Sequence, residues 1–347
     1  MDTKIIGICG GRMDYASVAE AGIGWVRLGT GFPWSDKLYG TETEEYRRVK
    51  EEMRKAHAAG VRVMGITPLI GGIRWDEEKG KGVWFDGWPQ EIMGCRYADD
   101  EFYEIIEEVC AWMAKDLEGL VDDLWQIANE MDIDTFRGPY GLEVAKKLAW
   151  AEARGIKRVR PQACCGINPA HLGREARILF EECYGEGSPL DYAGIDGYFG
   201  SWASGSVEKW IPVIDEIHAI TGAKVLVNEW GYSSIGVVKP IPADFVMTGN
   251  IGSVCATKTW HNAWKGEAEH TEELQADYLT RGLEILAQHP HALGGFMYCW
   301  QDDKICYHCG QPNCPAECGW GIVRSDGSRK PAWFAVRKAS EAWYRQS

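Results

Sequence analysis

Two glutamates in this sequence occupy the same unusual setting. Glu130 follows the apolar run LWQIAN and Glu229 follows KVLVN, so each comes directly after a segment typical of a buried strand, with an asparagine before it. Strands disfavour Glu. Two carboxyl groups across a cleft can hydrolyse a glycosidic bond, because one protonates the leaving oxygen while the other attacks the sugar or activates a water. The pair therefore predicts acid/base chemistry on a sugar.

A solvated strand end is the alternative for either glutamate, and for a single Glu it is the better interpretation. The repetition of the pattern at Glu130 and Glu229 favours a functional pair. Their separation would decide the stereochemistry: about 5–5.5 Å allows a covalent intermediate and retention, whereas about 6.5–9.5 Å leaves room for a water and gives inversion. The sequence is compatible with both distances.

Four of the twelve cysteines are clustered in CYHCGQPNCPAEC, as Cys306, Cys309, Cys314 and Cys318. Four thiolates suit a tetrahedral Zn²⁺, and a site filled entirely by Cys would be structural, because catalytic zinc keeps an open position. Two disulfides, if the protein is secreted, and free thiols remain as alternatives. We favour zinc, which would pin the Cys-rich loop at 301–330 beside the active site.

Short apolar runs alternate with longer amphipathic stretches along the whole chain. The predicted strands are 4–9, 24–29, 61–67, 122–128, 160–166, 192–198, 223–229 and 294–300, and the predicted helices are 44–60, 100–117, 142–155, 206–222, 273–288 and 331–344. This alternation indicates parallel strands with right-handed crossovers. An open doubly wound sheet is possible, but eight near-equal units filling 1–347 favour a single-domain (β/α)8 TIM barrel. The glycine-rich start GICGGRMD does not match the dinucleotide pattern GxGxxG.

Catalytic and binding groups of such a barrel lie at the C-terminal ends of its strands and in the loops that follow. Arg27 lies on the second predicted strand, Tyr198 ends the sixth and Trp300 ends the eighth. Asn129 follows the fourth strand, and Trp34 lies in the loop after the second. We expect these five side chains to converge on one mouth with the two glutamates.

Aromatic content and loop length also favour a carbohydrate ligand. The chain has 17 Trp against 9 Phe, and the flat face of Trp stacks on sugar rings. The segments 68–100 and 231–270 are long for barrel loops, and long loops are usually functional. We expect them to form walls of a substrate cleft.

The motifs together resemble those of the clan A retaining glycoside hydrolases, which are (β/α)8 enzymes with an acid/base after the fourth strand and a nucleophile on the seventh. The residues that carry the resemblance are ANE at 128–130, GIDGY at 194–198, NEW at 228–230, Arg27 and Trp300. The resemblance spans nearly the whole chain. The sequence reads NEMD after the fourth strand where several families of the clan have NEP, so the family within the clan stays open.

The resemblance implies a retaining β-glycoside hydrolase that needs no cofactor for catalysis. Glu130 would be the general acid/base and Glu229 the nucleophile. We also expect Asp132 to raise the pKa of Glu130 through its negative charge.

The resemblance implies a binding role for four further residues. Asn129 would bind the hydroxyl next to the anomeric carbon. Arg27 would keep Glu229 negatively charged, and Tyr198 would orient it. Trp300 would form the floor under the reacting sugar. Trp34, from its place in the loop after the second strand, would add to the cleft.

Composition excludes several other classes of protein. Lys and Arg number 37 against 51 Asp and Glu, a net charge of −14, and no basic run occurs, which argues against binding to nucleic acid or an anionic membrane. No apolar stretch approaches the roughly 20 residues of a membrane span. The start MDTKIIGICGG shows no signal peptide, so we expect a cytoplasmic protein, or a secreted one if the sequence is truncated.

Two rival functions remain. A non-catalytic carbohydrate-binding barrel would have the same cleft, although the presence of both Glu130 and Glu229 argues against it. A metal-dependent barrel isomerase or hydrolase would need histidines at several strand ends, and none of the eight His ends a predicted strand. The sugar, the linkage, exo or endo action and the oligomeric state are left open by the sequence.

Overall fold

The computed structural model describes residues 4–76, 81–246 and 252–344. Its ten strands are β1 (Ile5–Cys9), β2 (Trp25–Gly29), β3 (Arg62–Ile66), β4 (Gly71–Asp76), β5 (Lys81–Asp86), β6 (Leu124–Gln126), β7 (Cys164–Gly166), β8 (Tyr192–Gly197), β9 (Lys224–Trp230) and β10 (Ala292–Tyr298). Eight of them form one parallel sheet, while β4 and β5 form a separate antiparallel hairpin after β3. All eight predicted strands are confirmed, with ends shifted by a few residues.

The parallel strands follow one another in chain order around a barrel. Their order is β7-β6-β3-β2-β1-β10-β9-β8. The two outermost strands of this order are joined as well, because the N–H of Gly194 donates to the carbonyl of Ile167 at 2.8 Å and that of Asp196 to the carbonyl of Pro169 at 2.8 Å. The ring is thereby closed, which confirms the (β/α)8 barrel and excludes the open sheet.

Helices surround the barrel. They are α1 (Tyr15–Glu20), α2 (Glu44–Ala58), α3 (Gln90–Met93), α4 (Asp100–Asp116), α5 (Asp134–Arg137), α6 (Leu142–Val159), α7 (Arg174–Cys183), α8 (Trp210–Thr221), α9 (Ser253–Thr257), α10 (Glu272–Gln288) and α11 (Pro331–Tyr344), with a 3₁₀ turn at Val207–Lys209. The six predicted helices are confirmed. The sequence analysis missed α7 and the four shorter helices α1, α3, α5 and α9. The buried residues of α7 have helical spacing: Ala176, Leu179, Phe180 and Cys183. Among the described helices, none combines the length and apolar character that a bilayer crossing requires.

The barrel interior changes from apolar to polar along the strands. Side chains two residues apart on a strand point to the same face. The first member of each such pair packs in an apolar cluster, and the second, nearer the C-terminal end, is a buried polar group. These pairs are Trp25 and Arg27 on β2, Leu124 and Gln126 on β6, and Leu226 and Asn228 on β9. The apolar layer supports the fold, and the polar layer above it faces the mouth.

Two long segments cover this mouth on one side. The segment between β9 and α10 contains α9, and the segment between β10 and α11 contains the Cys-rich loop. They share a small apolar core of their own, which includes Trp260 from the first segment and Trp320 from the second. The two segments therefore pack on each other as well as on the barrel.

Candidate active site

Glu229 is held by a donor on each of its carboxylate oxygens. Arg27 Nη2 donates to Glu229 Oε1 in a buried ion pair, and Tyr198 Oη donates to Glu229 Oε2 at 2.5 Å. The side chains of Arg27 and Glu229 are 5% and 14% exposed. A buried carboxylate with charge-assisted hydrogen bonds on both oxygens has a fixed orientation. The structure thus brings Arg27 and Tyr198 to Glu229.

Glu130 lies in a different electrostatic environment. Burial, followed by the negative charges of Glu229 and Asp132, raises the pKa of Glu130 to about 8. The contribution of Asp132 agrees with the expectation from the sequence. Ala128 and Glu130 both have positive φ angles, 52° and 43°, in the left-handed region that residues with a Cβ rarely adopt. Strain of this kind is concentrated at functional sites.

A third carboxyl group, Asp196, lies beside the pair. It is opposite Glu229 in the pairing of β8 with β9, and its Oδ2 accepts a hydrogen bond from Asn168 Nδ2 at 2.8 Å. Burial, followed by the charges of Glu229 and Glu130, raises the pKa of Asp196 well above its usual range. Neighbouring carboxyl groups disfavour each other's negative charge.

Amide side chains fix the position of Asn129. Its Oδ1 accepts from Gln126 Nε2 at 3.0 Å and from Asn168 Nδ2 at 2.9 Å. Gln126 Oε1 in turn accepts from Arg27 Nη1 at 2.7 Å and from Asn228 Nδ2 at 2.8 Å. With its oxygen held from within the barrel, Asn129 presents its N–H groups as the donors for a ligand.

Sequence reasoning missed two residues of this network. Gln126 is fully buried within an otherwise apolar run, and a polar side chain at such a position is a usable signal. Asn168 follows β7 and links Asn129 to Asp196, donating to Asp196 Oδ2 at 2.8 Å. The run ACCGI at 163–167 leads into it, much as an apolar run leads into Asn129, but the sequence analysis did not select it.

The structure does not bring Trp34 or Trp300 to the carboxyl groups. Trp34 is 2% exposed, and its ring lies 4.7 Å from that of Trp112 on α4, in the core between barrel and helices. Trp300 is also 2% exposed and belongs to the same core. The last barrel strand ends at Tyr298, whose ring lies 6.0 Å from Tyr198. Tyr298 thus occupies the position beside the site that we expected for Trp300.

A series of aromatic contacts leads from Tyr198 to an exposed tryptophan. The ring of Trp320 lies 4.9 Å from Tyr198, and Trp260 lies 5.7 Å from Trp320. Next to Trp260, at 5.0 Å, is Trp202 in the loop after β8, which is 44% exposed. Trp202 combines a large flat surface with access to solvent, and the sequence analysis did not select it.

The cysteine cluster differs from the expected one by a single member. The sulfur atoms of Cys255, Cys306, Cys309 and Cys314 all lie within 4.8 Å of one another. Cys318 is not in this group, and its sulfur lies 4.0 Å from the carbonyl oxygen of Gln311. Three of the four predicted metal ligands are thus together, and Cys255 occupies the place expected for Cys318.

No protein-family model and no curated protein sequence matches this chain. Solved structures match it over nearly its whole length. A family 39 glycoside hydrolase from the gut symbiont Bacteroides cellulosilyticus WH2 is 16% identical with a TM-score of 0.60, over 97% of this chain and 64% of that one. A fungal β-1,4-galactanase is 14% identical with a TM-score of 0.60, and the match covers 96% of this chain and 94% of the galactanase. A Bacteroides uniformis β-glucuronidase is 14% identical with a TM-score of 0.59, and the match covers 98% of this chain and 35% of the glucuronidase.

These similarities are similarities of fold. The chain spans less than two thirds of the family 39 enzyme and about a third of the β-glucuronidase. The structures it resembles are glycoside hydrolases built on a parallel eight-stranded barrel, in agreement with the resemblance seen in the sequence. The chain therefore has the (β/α)8 fold of these hydrolases, with its carboxyl groups at the C-terminal mouth.

Proposed function

We propose that this protein is a retaining β-glycoside hydrolase that acts on an oligo- or polysaccharide, with Glu229 as nucleophile and Glu130 as acid/base. One observation carries the proposal: the two carboxyl groups have opposite electrostatic environments. Glu229 is ion-paired with Arg27, while burial and neighbouring charge raise the pKa of Glu130 to about 8. The ion pair suits Glu229 to attack as a nucleophile, and the raised pKa suits Glu130 to donate a proton, as double displacement requires.

The first step forms a covalent bond between enzyme and sugar. Glu229 attacks the anomeric carbon, the glycosidic C–O bond breaks, and Glu130 gives its proton to the departing oxygen. Arg27 and Tyr198 hold the two oxygens of Glu229 so that one faces the sugar. Asn129 donates to the hydroxyl next to the anomeric carbon, where hydrogen bonds strengthen in the transition state.

The second step releases the sugar with its original configuration. Glu130, now a carboxylate, takes a proton from a water molecule, and the oxygen of that water attacks the anomeric carbon. The bond to Glu229 breaks, and Glu130 is again protonated. The proton removed in the first step is thereby restored, so the cycle needs no metal or organic cofactor.

Aryl β-glycosides of several neutral sugars, followed by β-linked oligosaccharides, test the proposal. We expect turnover by the wild-type protein, with the first-formed product in the β configuration by NMR. Glu229→Ala should lose turnover, while Glu130→Ala should keep activity on aryl glycosides with good leaving groups and form a β-glycosyl azide when azide is added. Full activity of Glu229→Ala, or a product of inverted configuration from the wild type, would contradict the mechanism.

A non-catalytic carbohydrate-binding barrel is the second candidate, because Trp202 offers an exposed stacking surface beside the mouth. It predicts saccharide binding by calorimetry with no bond cleavage, and equal affinity in Glu229→Gln and wild type. Hydrolysis that disappears in Glu229→Gln decides for the enzyme.

A further inference from the structure

The four cysteine sulfurs near the mouth have the spacing of a metal site. Cys255 Sγ lies 3.7 Å from Cys306 Sγ and 3.8 Å from Cys314 Sγ, and all four sulfurs lie within 4.8 Å of one another. A tetrahedral zinc with Zn–S bonds of about 2.3 Å places its sulfurs about 3.8 Å apart. These distances are far longer than the roughly 2.05 Å of a disulfide, and every described cysteine is free.

The backbone of the Cys-rich loop is folded as a tight turn around two of the sulfurs. The N–H of Gly310 donates to the carbonyl of Cys306 at 2.7 Å, with a φ of 66° at Gly310 that suits glycine. Cys306 and Cys309 are three residues apart in this turn, the spacing at which two cysteines commonly bind one zinc ion. Cys314 follows on the next turn of the same loop.

A positive charge lies next to the cluster. Lys258 Nζ is 2.8 Å from Cys309 Sγ and 3.4 Å from Cys314 Sγ. An ammonium group at these distances can offset negative charge where a metal is bound by four sulfurs. Four thiolates with one Zn²⁺ carry a net charge of −2, half of which Lys258 offsets.

We propose that Cys255, Cys306, Cys309 and Cys314 bind one Zn²⁺ that joins the two segments covering the mouth of the barrel. Cys255 comes from α9, between β9 and α10, whereas the other three come from the segment after β10. Since all four positions are filled by Cys, the site is closed and structural. The metal crosslinks segments about 50 residues apart in sequence, and such a link restricts the unfolded chain.

The same loop packs against Tyr198, the residue that donates to Glu229. Glu317, three residues after Cys314, accepts from Tyr298 Oη at 3.4 Å and from His308 at 3.0 Å. Trp320, further along, donates to the carbonyl of Ala316 at 2.7 Å, and its ring packs 4.9 Å from Tyr198, the partner of Glu229. The metal therefore anchors the wall against which Tyr198 is held.

Metal analysis of purified holoprotein tests the site without reference to activity. We expect about one zinc per chain in the wild type. Cys255→Ser should lose it, whereas Cys318→Ser, a matched change in the same loop, should retain it. Loss of zinc from Cys318→Ser but not from Cys255→Ser, or a wild type without zinc, would overturn the proposal.

Wild-type protein provides a second measurement in case Cys255→Ser fails to fold. X-ray absorption at the zinc edge should show four sulfur ligands at about 2.3 Å. A shell containing nitrogen or oxygen would overturn the ligand set, because His308 would then be the fourth ligand in place of Cys255. Removal of zinc by a chelator should also lower the melting temperature, and an unchanged melting temperature after verified zinc loss would contradict the crosslink.

Discussion

Arg27 and Glu229 form an ion pair inside the barrel although their strands, β2 and β9, are not neighbours and have β1 and β10 between them. The contact crosses the interior above the apolar layer. Arg27 also donates to Gln126 on β6, so one guanidinium joins three separate strands. The orientation of Glu229 therefore depends on closure of the whole barrel and on the planar fork of the arginine.

Replacing Arg27 by Lys tests the importance of that fork. Lys keeps the positive charge but has a single ammonium group, whereas the planar guanidinium of Arg27 donates to Gln126 and Glu229 from two nitrogens at a fixed angle. We expect kcat/KM to fall about 100-fold, the cost of one misplaced donor at a reacting group. The control is Arg154→Lys on the exposed face of α6, which should leave kcat/KM unchanged. An Arg27→Lys protein with wild-type kcat/KM would contradict the role of the fork.

The pH dependence of activity should report the acid/base group. Glu130 must hold its proton to act as acid, and with a pKa of about 8 it does so at neutral pH. As the pH rises through this value the proton is lost, so kcat/KM falls on the alkaline side. The measurement needs a substrate with a poor leaving group, because only such a substrate depends on the acid.

In Asp132→Asn, the fall of kcat/KM on the alkaline side should occur at lower pH. The charge of Asp132 favours the protonated form of Glu130, so its removal lowers the pKa of Glu130. The Asn side chain keeps an oxygen to accept the N–H of Ala170, as Asp132 Oδ1 does at 2.8 Å. Asp134→Asn, a change at an exposed neighbour, should leave the profile in place. A fall that occurs at higher pH in Asp132→Asn would refute this account of Glu130.

The strands that carry the candidate site residues could be predicted, because the spacing of apolar residues and the polar residue that follows them are local properties of the sequence. Glu130 and Glu229 each follow an apolar run that can only be buried, and the contacts of Arg27 and Tyr198 are what the resemblance implied. The end of the last barrel strand was predicted at Trp300, two residues too late, because an apolar run in the sequence does not show which of its residues is the last in the strand. The strand ends at Tyr298, and two further residues turn the chain into the outer core.

Long-range pairing is what the sequence could not supply. Cys255 lies about 50 residues before the Cys-rich loop, in a segment without strand or heptad pattern, so nothing local connects it to Cys306. Cys318 was the natural choice because it is near in sequence. Trp34 shows the same limit: a Trp in a barrel loop serves either a cleft or a core, and only packing against Trp112 decides between them.

Trp202 should contribute to saccharide binding and not to chemistry. Its ring is exposed in the loop after β8, and the aromatic ring beside it is that of Trp260. A stacked aromatic contact is worth about 0.5–1.5 kcal/mol, so Trp202→Ala should raise KM about 2- to 12-fold with kcat unchanged. Phe334→Ala on α11, another exposed aromatic, serves as control. A fall in kcat at constant KM would show that Trp202 acts on the reacting groups instead.

The charge of the site predicts a preference for neutral sugars, although a β-glucuronidase shares the fold. Three carboxyl groups converge there, those of Glu130, Asp196 and Glu229, and Arg27, the cation bonded to Glu229, is already shared with Gln126. A uronate would add a fourth acidic group to the site, and its carboxylate would be repelled by that of Glu229 where water is excluded. An aryl β-glucuronide and its methyl ester isolate this effect, because they differ in charge but hardly in shape. We expect the ester to have a kcat/KM at least about tenfold higher, which corresponds to about 1.4 kcal/mol of repulsion. Faster turnover of the free acid would mean that a cation other than Arg27 binds the carboxylate of the uronate.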